Sequence, residues 1–173
     1  MSDMQTAEIL FSRDEIHSRV VELGREISDF YRGKPLTVVV LMTGGMIFGA
    51  DLVREMDIPL WIDSVSVSSY HGHKSSGELI FRSELKMDVR ERHVLLVDEV
   101  FDTGFTLTNL RRYMESKGAL SVRAAVAAVK EVPREKESIL PEYCAFCAPD
   151  RYLIGYGLDS HEDGRQLPFI GAV

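Results

Sequence analysis

Apolar residues return at helical spacing early in the chain and then form continuous runs. Ser12 and Glu15 have the spacing of a capping box, which predicts a helix that begins beside Ser12 and ends before Gly33 and Pro35. The apolar positions of this helix share one face: Ile16, Val20, Leu23, Ile27 and Phe30. Residues 36–42 form an apolar run rich in β-branched residues, which is typical of a strand buried on both faces.

Further along the chain, short apolar runs alternate with helical patterns. We predict helices at 46–56 and 106–117 and strands at 60–69, 78–83, 94–97, 122–129 and 152–156. The polar residues 70–77 predict a hairpin loop between two of these strands. The alternation favours an α/β fold, a single domain over residues 1–173 with a mainly parallel twisted sheet flanked by helices.

Composition narrows the class of protein. The chain has 173 residues, of which 45% are hydrophobic, so one globular domain is expected. No apolar run approaches the ~20 residues of a membrane span, and the first residues lack the pattern of a secretory signal. We therefore expect no membrane partner and a cytoplasmic location. Because 27 acidic residues outnumber 20 basic ones, the net charge is -7, which opposes binding to a nucleic acid polymer.

The two cysteines, Cys144 and Cys147, form a lone CxxC pair. A zinc site of this type needs two further ligands, and no second pair supplies them. The surrounding sequence does not resemble a thioredoxin redox motif. We therefore interpret the two thiols as structurally incidental, in a protein of a reducing compartment.

The residues that carry chemistry lie where a predicted strand meets a predicted helix. Residues 94–107 read VLLVDEVFDTGFTL, so three acids follow a buried strand and a Thr-Gly-x-Thr sequence opens a helix. Backbone amides at a helix N-terminus bind anions, and Gly104 lets the backbone approach a phosphate closely. A capped helix beside solvated acids is the alternative interpretation of Thr-Gly-x-Thr alone. Acids beside a phosphate cradle suit hydroxyl recognition or Mg²⁺ binding.

This segment resembles the phosphoribosyl-diphosphate (PRPP) signature of type I phosphoribosyltransferases, and its core at 102–104 is similar to the hypoxanthine-guanine branch of that family. Four further segments resemble the family in the same order: 41–45 its pyrophosphate loop, 68–77 its flexible lid, 149–159 its base-binding segment and 165–168 its tail. The resemblance covers nearly the whole chain from about Ser12. It implies the type I phosphoribosyltransferase fold, with a small hood formed by terminal segments.

The resemblance implies transfer of ribose 5-phosphate from PRPP to N9 of a 6-oxopurine, namely hypoxanthine and also guanine, with release of pyrophosphate. Asp102 would be the catalytic residue, as general base at purine N7 or as its hydrogen-bond partner. Asp98 and Glu99 would hold the ribose hydroxyls, directly or through Mg²⁺. The 5-phosphate would lie on Asp102, Thr103, Gly104, Phe105 and Thr106.

By the same resemblance, a loop and the tail would bind pyrophosphate through Thr43, Gly44, Gly45 and Arg165. Relatives often carry a lysine at position 43 and a non-proline cis peptide in this loop, and we predict that bond at Thr43–Gly44. Ser69 and Tyr70 would belong to the lid. The basic lid residues His71, His73 and Lys74 either help to close the site or are an idle, exposed set.

The base would be bound by side chains and backbone from three strand ends: Val100, Lys130, Tyr152, Leu153, Leu158 and Asp159. Lys130 would reach the exocyclic O6, Tyr152 would stack on the ring, and Asp159 would bind a second Mg²⁺. The implied metal ligands are therefore Asp98, Glu99 and Asp159. Without the family, a solvated lysine at a strand end would be the better interpretation of Lys130.

Two alternatives stay open. A xanthine-preferring relative would differ from this chain only in contacts to purine position 2. A regulatory RNA-binding protein that keeps the PRPP fold would generally lack the aspartate at position 102 and would need a basic face. The family also implies a homodimer or homotetramer, with PRPP and a purine base as substrates and Mg²⁺ as cofactor.

Overall fold

The computed structural model describes residues 7–69, 79–134 and 136–173. The elements follow in this order: β1 Glu8–Phe11, α1 Arg13–Tyr31, β2 Leu36–Met42, α2 Met46–Arg54, β3 Leu60–Ser69, β4 Leu79–Ser83, β5 His93–Phe101, α3 Phe105–Ser116, β6 Ser121–Lys130, β7 Tyr143–Ala148, β8 Leu153–Ile154 and β9 Ile170–Ala172. The predicted capping box is confirmed at the start of α1, where the Ser12 N–H donates to the Glu15 carboxylate and the Ser12 hydroxyl accepts from the Glu15 N–H.

The main sheet has six strands in the order β4-β3-β2-β5-β6-β7. β4 pairs antiparallel with β3, and the other neighbours pair parallel. β2 is buried along its length except at Met42, as its apolar run predicts. Because the carboxyl ends of parallel strands share one edge of the sheet, the loops after β2, β5, β6 and β7 lie side by side.

Helices cover both faces of this sheet. Ile16 of α1 and Leu52 of α2 pack with Leu95 in one buried cluster, whereas Leu110 and Met114 of α3 pack with a second cluster on the opposite face. The predicted α/β class, a mainly parallel sheet flanked by helices, is confirmed. No helix in the described ranges is long and apolar enough to cross a lipid bilayer.

A second sheet joins the two ends of the chain. β9 pairs antiparallel with β1 on one side and with β8 on the other. Together with residues 155–169, these strands form the unit that we name the hood. Ile170 and Ala172 are fully buried, so the hood is anchored by apolar packing as well as by strand pairing. The predicted small hood of terminal segments is confirmed.

β1, β7 and β9 lie outside the strands predicted from the sequence. β7 reads YCAFCA and is defined by its parallel pairing with β6, because it has no long apolar run of its own. β5 is longer than predicted, since its pairing with β6 continues beyond Val97 as far as Phe101. Two of the three candidate acids, Asp98 and Glu99, therefore lie within the strand and not after it.

β8 is shorter than the strand predicted at 152–156. Gly155, Tyr156 and Gly157 have φ angles of 92°, 51° and 101°, and such left-handed backbone cannot continue a strand. The chain turns sharply there and returns across the hood towards β9. This turn determines where the residues of the predicted base-binding segment lie.

The two cysteines lie in β7 three residues apart. Residues at this spacing in a strand point to opposite faces of the sheet. Cys144 is partly buried and its thiol donates to the Phe146 carbonyl, whereas Cys147 is exposed. Burial raises the pKa of Cys144 to about 11. The strand geometry therefore gives the CxxC pair no shared metal or disulfide site.

Candidate active site

The strand-turn-helix between β5 and α3 forms a shallow recess. We name residues 98–107 the β5–α3 turn, and they line a cavity of about 200 Å³. Gly104 has a φ of 89°, and a Cβ at this position would lie 2.6 Å from Ser138 Cβ and 2.8 Å from Phe101 Cζ. Only glycine fits there. The first-turn amides of α3 lack helical carbonyl partners and can bind an anion.

The adjacent acids Asp98 and Glu99 are both partly buried at the end of β5. The Glu99 N–H donates to Asp98 Oδ1 over 2.9 Å. Burial, reinforced by the negative charge of Glu99, raises the pKa of Asp98 well above its ordinary value. Because the two carboxylates repel each other, the site favours a cation or a ligand with hydroxyl donors.

The loop after β2 packs directly on these acids. A Cβ at Gly44 would lie 2.1 Å from Glu99 Oε1, and a Cβ at Gly157 would lie 2.1 Å from the Gly44 carbonyl oxygen. The structure thus brings the predicted pyrophosphate loop, Glu99 and the hood into contact at two glycines. The loop contains a non-proline cis peptide bond, but between Met42 and Thr43. The prediction of that bond at Thr43–Gly44 was wrong by one residue.

A charged residue lies at or just beyond the end of each of three neighbouring strands. Asp102 follows β5, Lys130 ends β6, and Asp150 lies two residues beyond β7. Lys130 Nζ lies 3.6 Å from Asp102 Oδ2 and 3.6 Å from Asp150 Oδ1. The sequence predicted roles for the first two residues. Asp150 lies in the predicted base-binding segment 149–159, but its contact with Lys130 was missed because β7 was not recognised. The Pro-Asp pair that follows the YCAFCA run was the available signal.

The hood residues predicted to bind ligand are tied to one another. Arg165 Nη2 lies 2.7 Å from Asp159 Oδ1, and Arg165 Nη1 donates to the Gly157 carbonyl over 2.8 Å. The Glu162 N–H donates to Asp159 Oδ2 over 2.8 Å. The Tyr152 hydroxyl donates to the Asp159 carbonyl over 3.0 Å. The segment that contains Asp159 is therefore positioned by Arg165 and Tyr152 before any ligand binds.

The other predicted base contacts lie on both sides of this segment. Leu153 and Leu158 are buried, and the Leu158 carbonyl accepts from the Gly155 N–H over 3.0 Å. Tyr152 is 54% exposed, so its ring is open to a stacking partner. Val100 lies in β5 opposite Ala128 of β6.

The remaining predicted pyrophosphate, phosphate and lid residues divide between described and undescribed parts of the chain. Thr43 is exposed in the loop after β2, and Gly45 is buried at the start of α2. Thr103 is exposed, and its hydroxyl accepts from the Phe105 N–H over 3.4 Å. Ser69 ends β3 opposite Leu79. The remaining lid residues, Tyr70, His71, His73 and Lys74, lie outside the described residues.

Cavity size does not identify this site. A cavity of about 910 Å³ lies between α1, α2 and the hood, and its lining includes Arg13, Asp51 and Tyr156 but none of the predicted site residues. The smaller recess at the β5–α3 turn is lined by a glycine, three acids and the first residues of α3, a set that can bind a phosphorylated ligand. The chemistry of the lining residues therefore locates the site at the carboxyl edge of the sheet.

Two of the three predicted metal ligands, Asp98 and Glu99, fit the Mg²⁺ ion that the family resemblance implies. Within the described ranges no three His, Cys, Asp or Glu side chains are grouped to hold a metal, so Asp98, Glu99 and Asp159 do not form one cage. Asp159 lies apart from the other two in the hood, where it pairs with Arg165. Mg²⁺ is usually held by one or two carboxylates together with substrate phosphates. The pair Asp98 and Glu99 fits an ion of that kind.

Comparisons with known proteins agree with this geometry. The family profile described as "Phosphoribosyl transferase domain" matches residues 12–160. The hypoxanthine-guanine-xanthine phosphoribosyltransferase of Tritrichomonas foetus is 34% identical over 171 residues, which cover 99% of this chain and 92% of that protein. The hypoxanthine-guanine phosphoribosyltransferase of Streptococcus pneumoniae is 37% identical over 174 residues, covering 100% of this chain and 96% of that protein.

A solved structure shows the same fold. The hypoxanthine phosphoribosyltransferase of Staphylococcus aureus superposes with a TM-score of 0.94 at 31% sequence identity, and the match covers 100% of this chain and 95% of the other.

Proposed function

The chain belongs to the phosphoribosyltransferase family, and we propose that it transfers the 5-phosphoribosyl group of PRPP to N9 of hypoxanthine and guanine, giving IMP or GMP and pyrophosphate. This is a reaction of purine salvage. The observation that carries the proposal is the placement of Asp102, within the β5–α3 turn, 3.6 Å from Lys130 at the end of the neighbouring strand β6. A carboxylate and an ammonium there can address two different atoms of one purine.

The phosphoribosyl group would lie on the β5–α3 turn. Asp102, Thr103, Gly104, Phe105 and Thr106 line the recess at the start of α3, where the helix dipole favours a phosphate dianion and backbone amides would bind it. Asp98 and Glu99 at its inner end would hold the ribose hydroxyls. Their negative charge also suits the oxocarbenium character that the ribose develops when pyrophosphate leaves.

Asp102 would act on the purine. Its side chain is 51% exposed at the mouth of the recess, so a bound base can reach it. As the new bond forms at N9, the imidazole ring of the purine has a proton to lose. Asp102 would take that proton from N7 or hold it in a hydrogen bond while the bond forms.

Lys130 would select the base. An ammonium group donates hydrogen bonds and cannot accept them. It satisfies the O6 carbonyl of hypoxanthine or guanine but leaves the amino group of adenine unpaired, and an unpaired polar group in a closed site is costly. Tyr152 would stack on the ring, with Leu153, Val100 and the Leu158 backbone along its edges.

Pyrophosphate would lie between Thr43, Gly44 and Gly45 of the loop and Arg165 of the hood. The contact of Gly157 with the Gly44 carbonyl brings these two parts together, which supports a shared ligand. Asp98 and Glu99 would hold one Mg²⁺ and Asp159 a second. Bound Mg²⁺ neutralises the charge of the leaving pyrophosphate. Ser69 and Tyr70 would close over this side of the site.

The substrates of the proposed enzyme are PRPP and a purine base, and we expect it to act in the cytoplasm as a homodimer or homotetramer, without a nucleic acid polymer or membrane partner. A xanthine-preferring activity is the second candidate, because the Tritrichomonas foetus relative has xanthine in its name. A PRPP-fold RNA regulator is disfavoured, since Asp102 and Lys130 are both present.

The proposal is tested by initial rates of nucleotide formation from PRPP and Mg²⁺ with hypoxanthine, guanine, xanthine or adenine. We expect hypoxanthine and guanine to be used far better than adenine. Preference for xanthine would select the second candidate. Adenine as the best substrate would refute the role of Lys130, and absence of nucleotide with every base would refute the enzyme.

A further inference from the structure

Asp150 contacts the proposed base-selecting lysine from the side opposite the catalytic aspartate. We propose that Asp150 is a positioning residue that holds the Lys130 ammonium at the purine O6, and so contributes to base specificity while Asp102 is occupied with the base. This inference rests on the proposed function. It assigns a role to Asp150, a residue of the predicted base-binding segment whose position follows from β7.

Strand register places the three charges together. Phe101 of β5 is the register partner of Val129 of β6, so the next residues, Asp102 and Lys130, leave the sheet side by side. Lys130 is in turn the register partner of Ala148, the last residue of β7. Asp150 follows two residues later. The lysine of the central strand is thus flanked by one carboxylate from each neighbouring strand.

The exposures of the three side chains differ in a way that fits this role. The Lys130 side chain is only 16% exposed, whereas those of Asp102 and Asp150 are 51% and 65% exposed. The ammonium is therefore more buried than the two carboxylates that flank it. Among the described residues, these two supply its only ion pairs. A largely buried cation needs such partners to be held in one place.

Asp102 cannot serve the lysine and the purine equally well. A carboxylate that forms a tight pair with Lys130 has less negative charge to offer at N7, and the pair also draws the ammonium away from O6. With Asp150 on the other side, the trio has a net charge of -1, and Asp102 can turn to the base without leaving Lys130 unpaired. An ammonium has three donors, so Lys130 can contact Asp150 and O6 at once.

Asp150→Asn should therefore raise the KM for hypoxanthine and lower the ratio of kcat/KM for hypoxanthine to that for adenine. We expect a change of about fivefold in each, the size of an ion pair at the edge of a site. If adenine gives no product, its inhibition constant replaces its kcat/KM. The KM for PRPP should change by less than about twofold, because Asp150 does not face the β5–α3 turn cavity. Asp150→Glu should restore most of the ratio.

Two controls separate positioning from a general effect of charge. Asp29→Asn removes another exposed carboxylate that pairs with one cation, Arg32 at 3.2 Å, in α1. It should leave unchanged both the KM for hypoxanthine and the ratio of kcat/KM for hypoxanthine to that for adenine. In a Lys130→Gln background, Asp150→Asn should have no further effect on base selectivity, because the residue through which it acts is gone.

The outcomes are distinct. An unchanged hypoxanthine-to-adenine ratio in Asp150→Asn, with the thermal midpoint preserved, would overturn the inference. So would a fivefold loss that persists in the Lys130→Gln background, since Asp150 would then act without the lysine. If the unmodified protein forms no nucleotide, the proposed function itself is refuted. Nucleotide formation by the unmodified protein is therefore measured before that of any variant.

Discussion

The β5–α3 turn and the hood, the two halves of the proposed site, are built in opposite ways. In the turn, the residues with chemistry lie within nine positions of one another, and burial, together with the negative charge of Glu99, raises the pKa of Asp98. In the hood, chain segments from both ends meet, and Asp159, Arg165 and Gly157 are joined by hydrogen bonds and an ion pair. The turn keeps charge available for a ligand, whereas the hood fixes geometry.

This difference predicts different responses to substitution. Changes in the turn should affect chemistry and leave stability unchanged or increased, because its charges are partly uncompensated. Changes in the hood should weaken the fold and the binding of pyrophosphate together, because its polar groups are already paired. The following substitutions test that contrast.

Asp102→Asn should have the largest effect on the turn side. The substitution keeps the shape of the side chain but removes the proposed general base, so kcat should fall by about 10²- to 10⁴-fold. The KM for PRPP should change little, since none of the proposed contacts to its phosphates comes from the Asp102 side chain. Steady-state kinetics with hypoxanthine measure both values. Equal losses in turnover and PRPP affinity would make Asp102 a binding residue and would blur the contrast.

Gly157→Ala should have the largest effect on the hood side. Gly157 has a φ of 101°, and a Cβ there would lie 2.1 Å from the Gly44 carbonyl oxygen, so the loop or the hood must move. We expect a loss of several kcal/mol in the free energy of unfolding, from strain and steric overlap together, and a raised KM for PRPP. Thermal or urea unfolding and PRPP kinetics are the measurements.

Gly33→Ala is the matched control for that experiment. Gly33 also has a positive φ, 77°, but a Cβ there would have no heavy atom within 4 Å. Its free energy of unfolding should fall by only about 1 kcal/mol, the cost of a left-handed backbone at a residue other than glycine, and its kinetics should be unchanged. If both variants lose the same stability and neither changes PRPP binding, the contact between the hood and the pyrophosphate loop has no functional weight.

The contrast also explains what could be predicted from the sequence. The turn was recognisable because the acids, Gly104 and the threonines are adjacent, and the family resemblance built on them is confirmed by full-length relatives. β7 and the contact of Asp150 with Lys130 were missed, since a six-residue edge strand has no periodic signal and acquires its role only by pairing with β6. The left-handed Tyr156 likewise follows from tertiary contacts that no local pattern records.

Asp98→Asn tests whether the turn is held at a cost to stability. The folded-state pKa of Asp98 is raised, so the folded protein binds its proton more tightly than the unfolded chain does. Stability should therefore fall as pH rises from about 4, the ordinary aspartate value, through the raised pKa. Asparagine lacks this titration.

The variant should accordingly unfold at a higher temperature than the parent at pH 8 in EDTA, and this advantage should shrink towards pH 4. Its affinity for PRPP with Mg²⁺ should be lower, because one of the two carboxylates is lost. Thermal unfolding over a pH series, with Asp29→Asn as a surface control, measures the difference. Parallel pH curves for parent and variant would show that the acid pair does not destabilise the fold.

Tyr156→Phe is the mildest change and examines how the hood is fastened to the helix that follows the pyrophosphate loop. The Tyr156 hydroxyl donates to Asp51 Oδ2 of α2 over 2.8 Å. Burial and the Asp51 carboxylate raise the pKa of Tyr156, so this group stays a donor throughout the physiological range. Phenylalanine keeps the ring against Phe48 and loses only the hydrogen bond. We expect a loss of about 1 kcal/mol, which lowers the melting temperature by roughly 2–4 °C.

The functional consequence should follow the same link. Because Gly157 lies against Gly44, a looser Tyr156 should raise the KM for PRPP about two- to threefold and leave kcat unchanged. Asp51→Asn keeps an acceptor for the hydroxyl and should do less. A fall in kcat with an unchanged KM would assign Tyr156 to chemistry and would remove the distinction between a turn that reacts and a hood that positions.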